Sequence, residues 1–195
     1  MPPKTKYDRE DVIRAALEVV EEEGFSRLTA RRVAARLGSS TAPIYQHFAT
    51  IDELAMTMIG ETKKMILDYT SRPYTDRIFL NMGTGLAMFA CQHRELYRAL
   101  LLEGDSYGGV VGEVLEALEK KLPEDKRFTS LSQNERRVLL NKMWMFTHGF
   151  ASLICVGLIK DCGQKQIIDT LLDVGSDVIG ATLAKRVNDN NTRKR

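Results

Sequence analysis

The chain has 195 residues, of which 44% are hydrophobic and 28% charged, and its formal net charge is +2. This size and composition predict one medium domain or two small ones and exclude a disordered chain. The near-balance of charge argues against a uniformly basic nucleic-acid coat and against a membrane-surface role.

The cysteines and the apolar runs predict a cytoplasmic protein without a membrane span. Cys91, Cys155 and Cys162 are unevenly spaced and form no CxxC pair, which argues against a disulfide framework and against a zinc site. The first residues lack the apolar run of a signal peptide. The longest uncharged stretch, 143–159, is shorter than the ~20 apolar residues of a transmembrane helix.

The periodicity predicts helices throughout the chain. Apolar residues recur every three or four positions, and no segment alternates as a strand would. Gly24 and Gly38 mark helix ends, and Thr50-Ile51-Asp52-Glu53 has the pattern of a capping box. The predicted N-terminal helices cover 8–23, 29–37, 40–48 and 50–69.

A polar stretch with Pro73, residues 70–76, marks the predicted boundary to a second group of helices. Ser132-Gln133-Asn134-Glu135 is another capping box and opens the longest predicted helix, which ends before Gly163. Residues 123–129 are a predicted loop and 188–195 a predicted disordered tail. The predicted C-terminal helices cover 76–91, 93–102, 110–121, 133–162 and 165–185.

Residues 29–48 have the pattern of a helix-turn-helix hairpin. A first short helix is followed by a tight turn at Gly38-Ser39 and by a second short helix that Ser40 caps. In such a unit the N-terminal end of the second helix enters the major groove of DNA. The residues at this end, which face base edges, are Thr41, Ala42 and Pro43. The residues within reach of phosphates or of a base are Tyr45, Gln46 and His47, whereas Ile44 and Phe48 pack inward.

The charge of this region favours DNA over a bland helical hairpin. Residues 24–50 contain Arg27, Arg31, Arg32 and Arg36 and no acidic residue. A polyanionic partner accounts for this one-sidedness better than a solvated face, which usually mixes both signs.

The first 55 residues resemble TetR-type transcriptional regulators. The motifs that carry the resemblance are Ile13-Arg14-Ala15-Ala16-Leu17, Gly24-Phe25, Leu28-Thr29, Val33-Ala34, Leu37-Gly38, Ser40, Ile44-Tyr45-Gln46-His47-Phe48 and Asp52-Glu53-Leu54. Two positions depart from the family's pattern: Ile51 replaces a common Lys that serves a phosphate, and Ala42 replaces a residue that is often Gly.

The resemblance implies an all-α homodimer that binds a near-palindromic DNA operator and is not an enzyme. It divides the chain into a three-helix DNA-binding domain (1–54, with the fourth helix connecting to about 69) and an effector-binding and dimerisation domain (70–187). Thr29 and Arg31 would open the second helix against DNA, with Tyr45 and His47 on phosphates. The DNA-contacting residues that we expect are Thr29, Arg31, Ser40, Thr41, Ala42, Pro43, Tyr45, Gln46, His47 and Thr50.

The second domain contains several methionine and aromatic residues. Ordinary core packing explains each one singly, but together they suit a pocket for a small apolar or aromatic effector. His148 is either a polar contact in that pocket or a core histidine. The expected pocket residues are Met82, Leu86, Phe89, Tyr97, Met143, Phe146 and His148.

The last two helices are too apolar to face water, and we expect them to pair with their symmetry mates in the dimer. No metal or cofactor is expected, because no HExxH or ExxH pair is present. Gly104-Asp105-Ser106-Tyr107-Gly108 matches G-x-S-x-G but lacks the preceding strand that a hydrolase requires. Two alternatives stay open: a small helical enzyme that uses the C-terminal cavity, and a DNA-binding adaptor controlled by a protein partner.

Overall fold

A computed structural model describes residues 6–102 and 109–193, with side chains described to residue 184. Every regular element in these ranges is helical, which confirms the predicted all-α fold class. The G-x-S-x-G segment lies outside the described residues. The helices are α1 (Arg9–Glu23), α2 (Ala30–Arg36), α3 (Ala42–His47), α4 (Ile51–Ser71), α5 (Ile78–Gln92), α6 (Arg94–Tyr97), α7 (Val110–Lys121), α8 (Gln133–Cys155) and α9 (Gln164–Arg193). None of them, over the described residues, is long and apolar enough to cross a membrane.

The described chain divides into two compact units, and the division falls within α4. The first unit comprises residues up to 65 together with 92–102 and 109–111, and the second comprises 66–91 and 112–193. In the first unit α6 packs against α1, so a segment from the middle of the sequence belongs with the N-terminal helices.

The core of the first unit consists of the apolar faces of α1, α2 and α3. Their spacing of three and four residues places these side chains on one side of each helix. The completely or nearly completely buried members are Val12, Ile13, Ala15, Ala16, Val19, Val33, Ala34, Ile44, Phe48 and Leu54. Ile44 and Phe48 face inward, as the hairpin pattern predicts.

Local hydrogen bonds define where these helices begin. Asp8 caps α1, and a reciprocal bond from its own N–H to Asp11 completes a capping box. The Thr50 hydroxyl accepts the N–H of Glu53 at 3.1 Å, and the Glu53 carboxylate accepts the N–H of Ala49 at 2.7 Å. Such bonds satisfy the free N–H groups of a helix N-terminus.

The second unit contains a close helix crossing at Gly85. A Cβ atom added there would lie 2.1 Å from the Tyr69 carbonyl oxygen and 2.6 Å from the Thr70 Cα. The backbone of α5 therefore meets that of α4 without an intervening side chain. Next to this crossing the Tyr69 ring packs edge-on against Phe89, with 5.4 Å between the ring centroids.

The expectation of no disulfide framework is wrong for one pair of cysteines. Cys91, in the last turn of α5, and Cys162, in the loop between α8 and α9, form a disulfide, with their Cα atoms 6.1 Å apart. Cys155 is buried and free. The pair is 71 residues apart in sequence, so only the packing of α5 beside the α8–α9 connection brings the two sulfurs together.

Several helix limits differ from the predicted ones. The helix predicted over 133–162, α8, ends at Cys155 rather than before Gly163, because Gly157 adopts a positive φ of 76° and leads the chain out of the helix. The predicted loop over 123–129 includes most of two short 3-10 helices, Leu122–Glu124 and Lys126–Phe128. Helix α6 is followed by a π-helical turn over Arg98–Leu102, where a single helix was predicted.

The predicted disordered tail is wrong for residues 188–193, which continue α9 as helix. No proline follows Gly180 to interrupt the helix. Asparagine lowers helix propensity but does not by itself end a helix. Residues 194–195 lie outside the described residues.

We expect Gly85→Ala to lower the free energy of unfolding by about 3 kcal/mol, because a methyl group has no space at the α4–α5 crossing. Gly112→Ala is the matched control, since nothing lies within 4 Å of a Cβ atom at that exposed helical position. The control should be neutral or stabilising by up to about 1 kcal/mol. Chemical denaturation measures both, and equal stability of the two variants would contradict the close crossing.

Candidate nucleic-acid interface and cavity

The α2–α3 connection has the geometry of a tight helix-turn-helix. Gly38 has a φ of 61°, a conformation that costs other residues free energy, and the Ser39 N–H donates to the Ala34 carbonyl at 3.0 Å. Thr41 rather than Ser40 is the residue that precedes α3, and the Ser40 hydroxyl accepts the N–H of Ala42 at 3.4 Å. Pro43 lies in the first turn of α3, where its missing N–H leaves no helical bond unmade.

Helix α3 exposes the side chains predicted to meet DNA. Tyr45 is 53% exposed, and Ala42 and Gln46 are also exposed, whereas Ile44 on the opposite side is fully buried. A tyrosine with so much free ring area and an available hydroxyl can reach a phosphate without disturbing the core. One face of α3 therefore packs into the core of the first unit, and the opposite face is exposed and can contact a partner molecule.

His47 is partly engaged within the protein. Its Nε2 lies 3.1 Å from the carbonyl oxygen of Tyr7, and the Tyr7 hydroxyl donates to the Leu37 carbonyl at 2.5 Å. The segment before α1 is thus tied both to the end of α2 and to α3. Only the Nδ1 side of the His47 ring remains for a phosphate, so Nε2 of this predicted DNA contact already has a structural role.

The two predicted threonine contacts lie at helix starts. The Thr29 hydroxyl accepts the N–H of Arg32 at 3.3 Å and so caps α2, while Thr50 caps α4. A hydroxyl that accepts one hydrogen bond still carries a proton to donate. Both side chains are exposed and can fulfil a capping role and contact DNA at once.

The arginines of residues 24–50 are not equivalent. Arg36 pairs with Glu22 in a two-pronged ion pair, one arm of which is 2.8 Å long, and Arg32 pairs with Glu23. Arg27 and Arg31 are exposed and form no ion pair within the described residues. The four-arginine cluster that the sequence displays is therefore half neutralised by the end of α1.

The pKa values agree with this division. Hydrogen bonds from Arg36 hold the pKa of the Glu22 carboxyl below its ordinary value, and the same bonds raise the pKa of Arg36. Both groups therefore remain ionised at neutral pH, and the pair persists. Arg31 is the exposed cation at the start of α2 that stays available to an anionic partner.

The second unit encloses a cavity of about 280 Å³ between α5, α7, α8 and α9. Its walls are mostly aliphatic and aromatic, and glycines on α5 and α9 widen it. Its lining residues are Arg77, Phe79, Leu80, Met82, Gly83, Leu86, Leu118, Arg127, Leu140, Met143, Trp144, Thr147, Leu171, Leu172, Gly175, Ser176, Ile179 and Gly180.

Three of the seven expected pocket residues, Met82, Leu86 and Met143, line this cavity. The other four lie elsewhere. Tyr97 is buried in the first unit, whereas Phe89 packs against Tyr69, Phe146 against the cluster around Phe150, and His148 against the face of Trp144 at 5.4 Å. Burial lowers the pKa of His148. The prediction of these four pocket residues depends on residue type alone, and residue type does not indicate the direction in which a helical side chain points.

The sequence predicts that the last helix pairs with a second copy, and it does not predict a cavity wall there. In the structure Leu171, Leu172, Gly175 and Ile179 of α9 line the cavity. Trp144 and Thr147 follow Met143 on the same helical face, so their spacing of one and four residues was a usable signal.

A buried ion pair borders the cavity. The Asp125 carboxylate is 6% exposed and accepts two hydrogen bonds from the Arg127 guanidinium, at 2.9 and 2.6 Å, and one from the Phe79 N–H at 3.3 Å. Burial raises the pKa of Asp125, but the bonds from Arg127 and from the two backbone N–H groups outweigh it and leave the pKa below its ordinary value. The carboxylate thus joins the start of α5 to the loop before α8.

Within residues 6–102 and 109–184, no three His, Cys, Asp or Glu side chains are grouped to hold a metal ion.

Residues 12–56 match the model of the family described as bacterial regulatory proteins, tetR family. The matched segment covers 45 of the 195 residues, and over it the chain is similar to the TetR family. This confirms the resemblance that the motifs predict, and the matched TetR-type segment runs from α1 into α4.

Relatives and a solved structure extend the comparison. The tetracycline repressor protein class A from transposon 1721 of Escherichia coli is 43% identical over 61 residues, 29% of this chain and 28% of the relative. The HTH-type transcriptional repressor DrrR1 of Streptomyces coeruleorubidus is 29% identical over 126 residues, 62% of this chain and 44% of the relative. The chain thus spans less than half the length of each of these relatives.

A TetR-like transcriptional regulator from Rhodococcus sp. RHA1 shares the fold beyond the TetR-type domain. Its structure superposes with a TM-score of 0.62 over 90% of this chain and 94% of that chain, at 18% sequence identity. At this identity the likeness concerns the fold alone.

We expect Asp125→Asn to lower the free energy of unfolding at pH 7 by about 1–3 kcal/mol, because the hydrogen bonds that Arg127 donates to a charged carboxylate are lost or weakened. Because the folded pKa is depressed, the contribution of the carboxylate is complete above its unfolded pKa of about 4 and disappears as the pH falls through the folded pKa. Thermal unfolding from pH 7 to pH 3 should show the gap to wild type narrowing below about pH 4.

Asp173→Asn, at an exposed position of α9, is the control and should leave the unfolding midpoint unchanged at every pH. An Asp125→Asn gap that is as wide at pH 3 as at pH 7 would contradict the ionised pair.

Proposed function

We propose that the protein is a DNA-binding transcriptional regulator of the repressor type, which binds a palindromic operator as a homodimer and is released by a small apolar or aromatic molecule. The observation that carries the proposal is the α2–α3 hairpin, whose packed core leaves Arg31, Tyr45 and Gln46 exposed. Exposed cationic and hydrogen-bonding side chains on a helix-turn-helix suit phosphate and base contacts.

Two further observations support DNA as the partner. Two relatives that match this chain are named as repressors: the tetracycline repressor protein class A, over 61 residues, and DrrR1, over 126 residues. The N-terminal end of α3 carries Thr41, Ala42 and Pro43, which we assign to base edges in the major groove, where their small apolar surfaces fit thymine methyl groups. We assign Thr29, Thr50, Tyr45 and the free side of His47 to phosphates.

Dimerisation is supported by an apolar stripe along α8 and at its C-terminal end that none of the described residues covers. Met145 is 67% exposed, Val156 56%, and Leu153 and Val138 over 40%. Their spacing places them on one side of the helix, while Leu140, Met143 and Ile154 on the other side are buried. Exposed Gly180 and Ala181 of α9 provide a second surface on which a helix can approach closely. We infer that α8 and α9 pair with those of a second copy in an isologous interface.

Release by a small molecule is supported by the cavity of about 280 Å³ in the second unit. A molecule bound there releases DNA only if it favours a conformation whose two reading helices no longer fit successive major grooves, about 34–36 Å apart. Coupling free energies of about 1–3 kcal/mol are usual between such linked sites.

We expect Arg31→Ala to weaken operator binding about tenfold, as the loss of one charge-assisted hydrogen bond would. It should also make the dependence of log K on log salt less steep by about 1. The operator is first selected from random duplexes with purified protein, and fluorescence anisotropy then gives affinity at several salt concentrations.

Arg36→Ala is the matched control for this experiment, because the guanidinium of Arg36 is already paired with Glu22. Its salt dependence should equal that of wild type. If the two variants have the same effect, α2 does not present Arg31 to DNA as proposed, and if no duplex is selected by wild-type protein, the proposed function is wrong.

We expect Met145→Asp combined with Leu153→Asp to convert the dimer to a monomer, because two carboxylates would be buried without partners in the α8 interface. Sedimentation velocity at micromolar concentration measures the change. Met56→Asp is the control, since Met56 on α4 is 55% exposed but lies outside the stripe. A wild-type protein that sediments as a monomer would rule out the interface.

A further inference from the structure

The cavity of the second unit limits the size of its occupant. A dry apolar cavity of about 150 Å³ is enough to bind benzene. The cavity here, at about 280 Å³, is nearly twice as large and is lined by aliphatic side chains and by Trp144. It therefore has room for about two rings, provided that the molecule is apolar over most of its surface.

Thr147 is the polar side chain that distinguishes this cavity from an ordinary gap in the core. Its side chain lines the cavity and is 4% exposed, yet its hydroxyl forms no hydrogen bond within the described residues. Gly83 faces it across the cavity wall, and a Cβ atom there would lie 3.5 Å from the Thr147 Oγ1.

Other helical hydroxyls in the same chain satisfy themselves. The usual solution is a bond to the carbonyl four residues earlier, with lengths of 2.6–2.9 Å, and it is adopted by Thr62, Ser152, Thr170, Ser176 and Thr182. Thr147 does not use it. Its proton therefore remains available to an acceptor on a molecule bound in the cavity that Thr147 lines.

The charges around the cavity do not call for a charged occupant. The Arg127 guanidinium is committed to Asp125, with which it forms two hydrogen bonds. Arg77 is exposed, so water solvates its guanidinium without a bound counter-ion. No Asp or Glu lines the cavity, which leaves a cation without a counter-ion.

Resting on the proposed function, we propose that the effector is a neutral aromatic molecule of about two rings with one hydrogen-bond acceptor, which receives the proton of the Thr147 hydroxyl. An acceptor is specified because unpaired buried donors are rarer in proteins than under-used acceptor lone pairs. The apolar rings fill the space between α5, α8 and α9, where Trp144 contributes an aromatic wall.

The test compares three probes of equal ring size: 2-acetylnaphthalene, which carries a neutral acceptor, 2-isopropenylnaphthalene, which has the same shape without the oxygen, and 2-naphthoate, which is an anion. Titration calorimetry gives the affinities. The emission of Trp144, the single tryptophan of the chain, reports occupancy of the cavity itself. The ketone should bind about tenfold more tightly than the hydrocarbon, and the anion more weakly than the ketone.

Substitutions locate the interaction. Thr147→Val should weaken binding of the ketone about tenfold and leave binding of the hydrocarbon unchanged. Thr84→Val is the matched control. The Thr84 hydroxyl, on α5, is buried and has no hydrogen-bond partner within the described residues, but Thr84 does not line the cavity. Gly175→Leu should abolish binding of both probes by filling the cavity, whereas Gly112→Leu, on an exposed helical surface, should not.

The proposal is overturned if the ketone and the hydrocarbon bind equally, if Thr147→Val weakens both alike, if 2-naphthoate binds most tightly, or if no probe binds. Operator binding by the same preparations separates this failure from failure of the proposed function. A protein that binds its selected duplex but no probe refutes the ligand class alone. A protein that binds the ketone but selects no duplex refutes the proposed DNA-binding function.

Discussion

Three consecutive glutamates at the C-terminal end of α1 organise the first unit. The carbonyl groups at that end already carry partial negative charge, so Glu21, Glu22 and Glu23 are unfavourable there unless cations approach them. Each one has a partner from a different part of the sequence: His93 before α6, and Arg36 and Arg32 of α2. The acidic end thereby attaches both the reading hairpin and the α6 segment to α1, while the buried faces of the helices provide the packing.

This arrangement changes the meaning of the local charge. Residues 24–50 contain four arginines and no acidic residue, and the sequence pattern treats all four as available to DNA. The structure uses Arg32 and Arg36 to hold α2 against α1, so the electrostatic contact that remains for DNA is concentrated at Arg27 and Arg31. On the proposed function, DNA binding by this surface depends more on its shape, on Tyr45 and on the N-terminal end of α3 than on a dense cluster of positive charges.

The second unit combines one very close contact with one open space. At Gly85 the backbones of α4 and α5 touch, and two residues earlier Gly83 helps to form the cavity wall. Glycine thus serves opposite purposes on the same helix: it removes a side chain so that backbones can meet, and it removes one so that space remains. The Asp125–Arg127 pair at the start of α5 and the Cys91–Cys162 disulfide at its end hold both ends of this helix.

The sequence by itself determined the helical class, the helix-turn-helix register and the inward positions of Ile44 and Phe48, because those features depend on local periodicity, caps and turn glycines. It also showed the methionine and aromatic residues of the second unit, three of which, Met82, Met143 and Trp144, line the cavity. Tertiary structure alone decided which arginines are free, that Cys91 meets Cys162, and that α9 rather than Phe89 or Tyr97 lines the cavity. Each of these depends on contacts between residues far apart in the chain, whose directions a helical pattern does not contain.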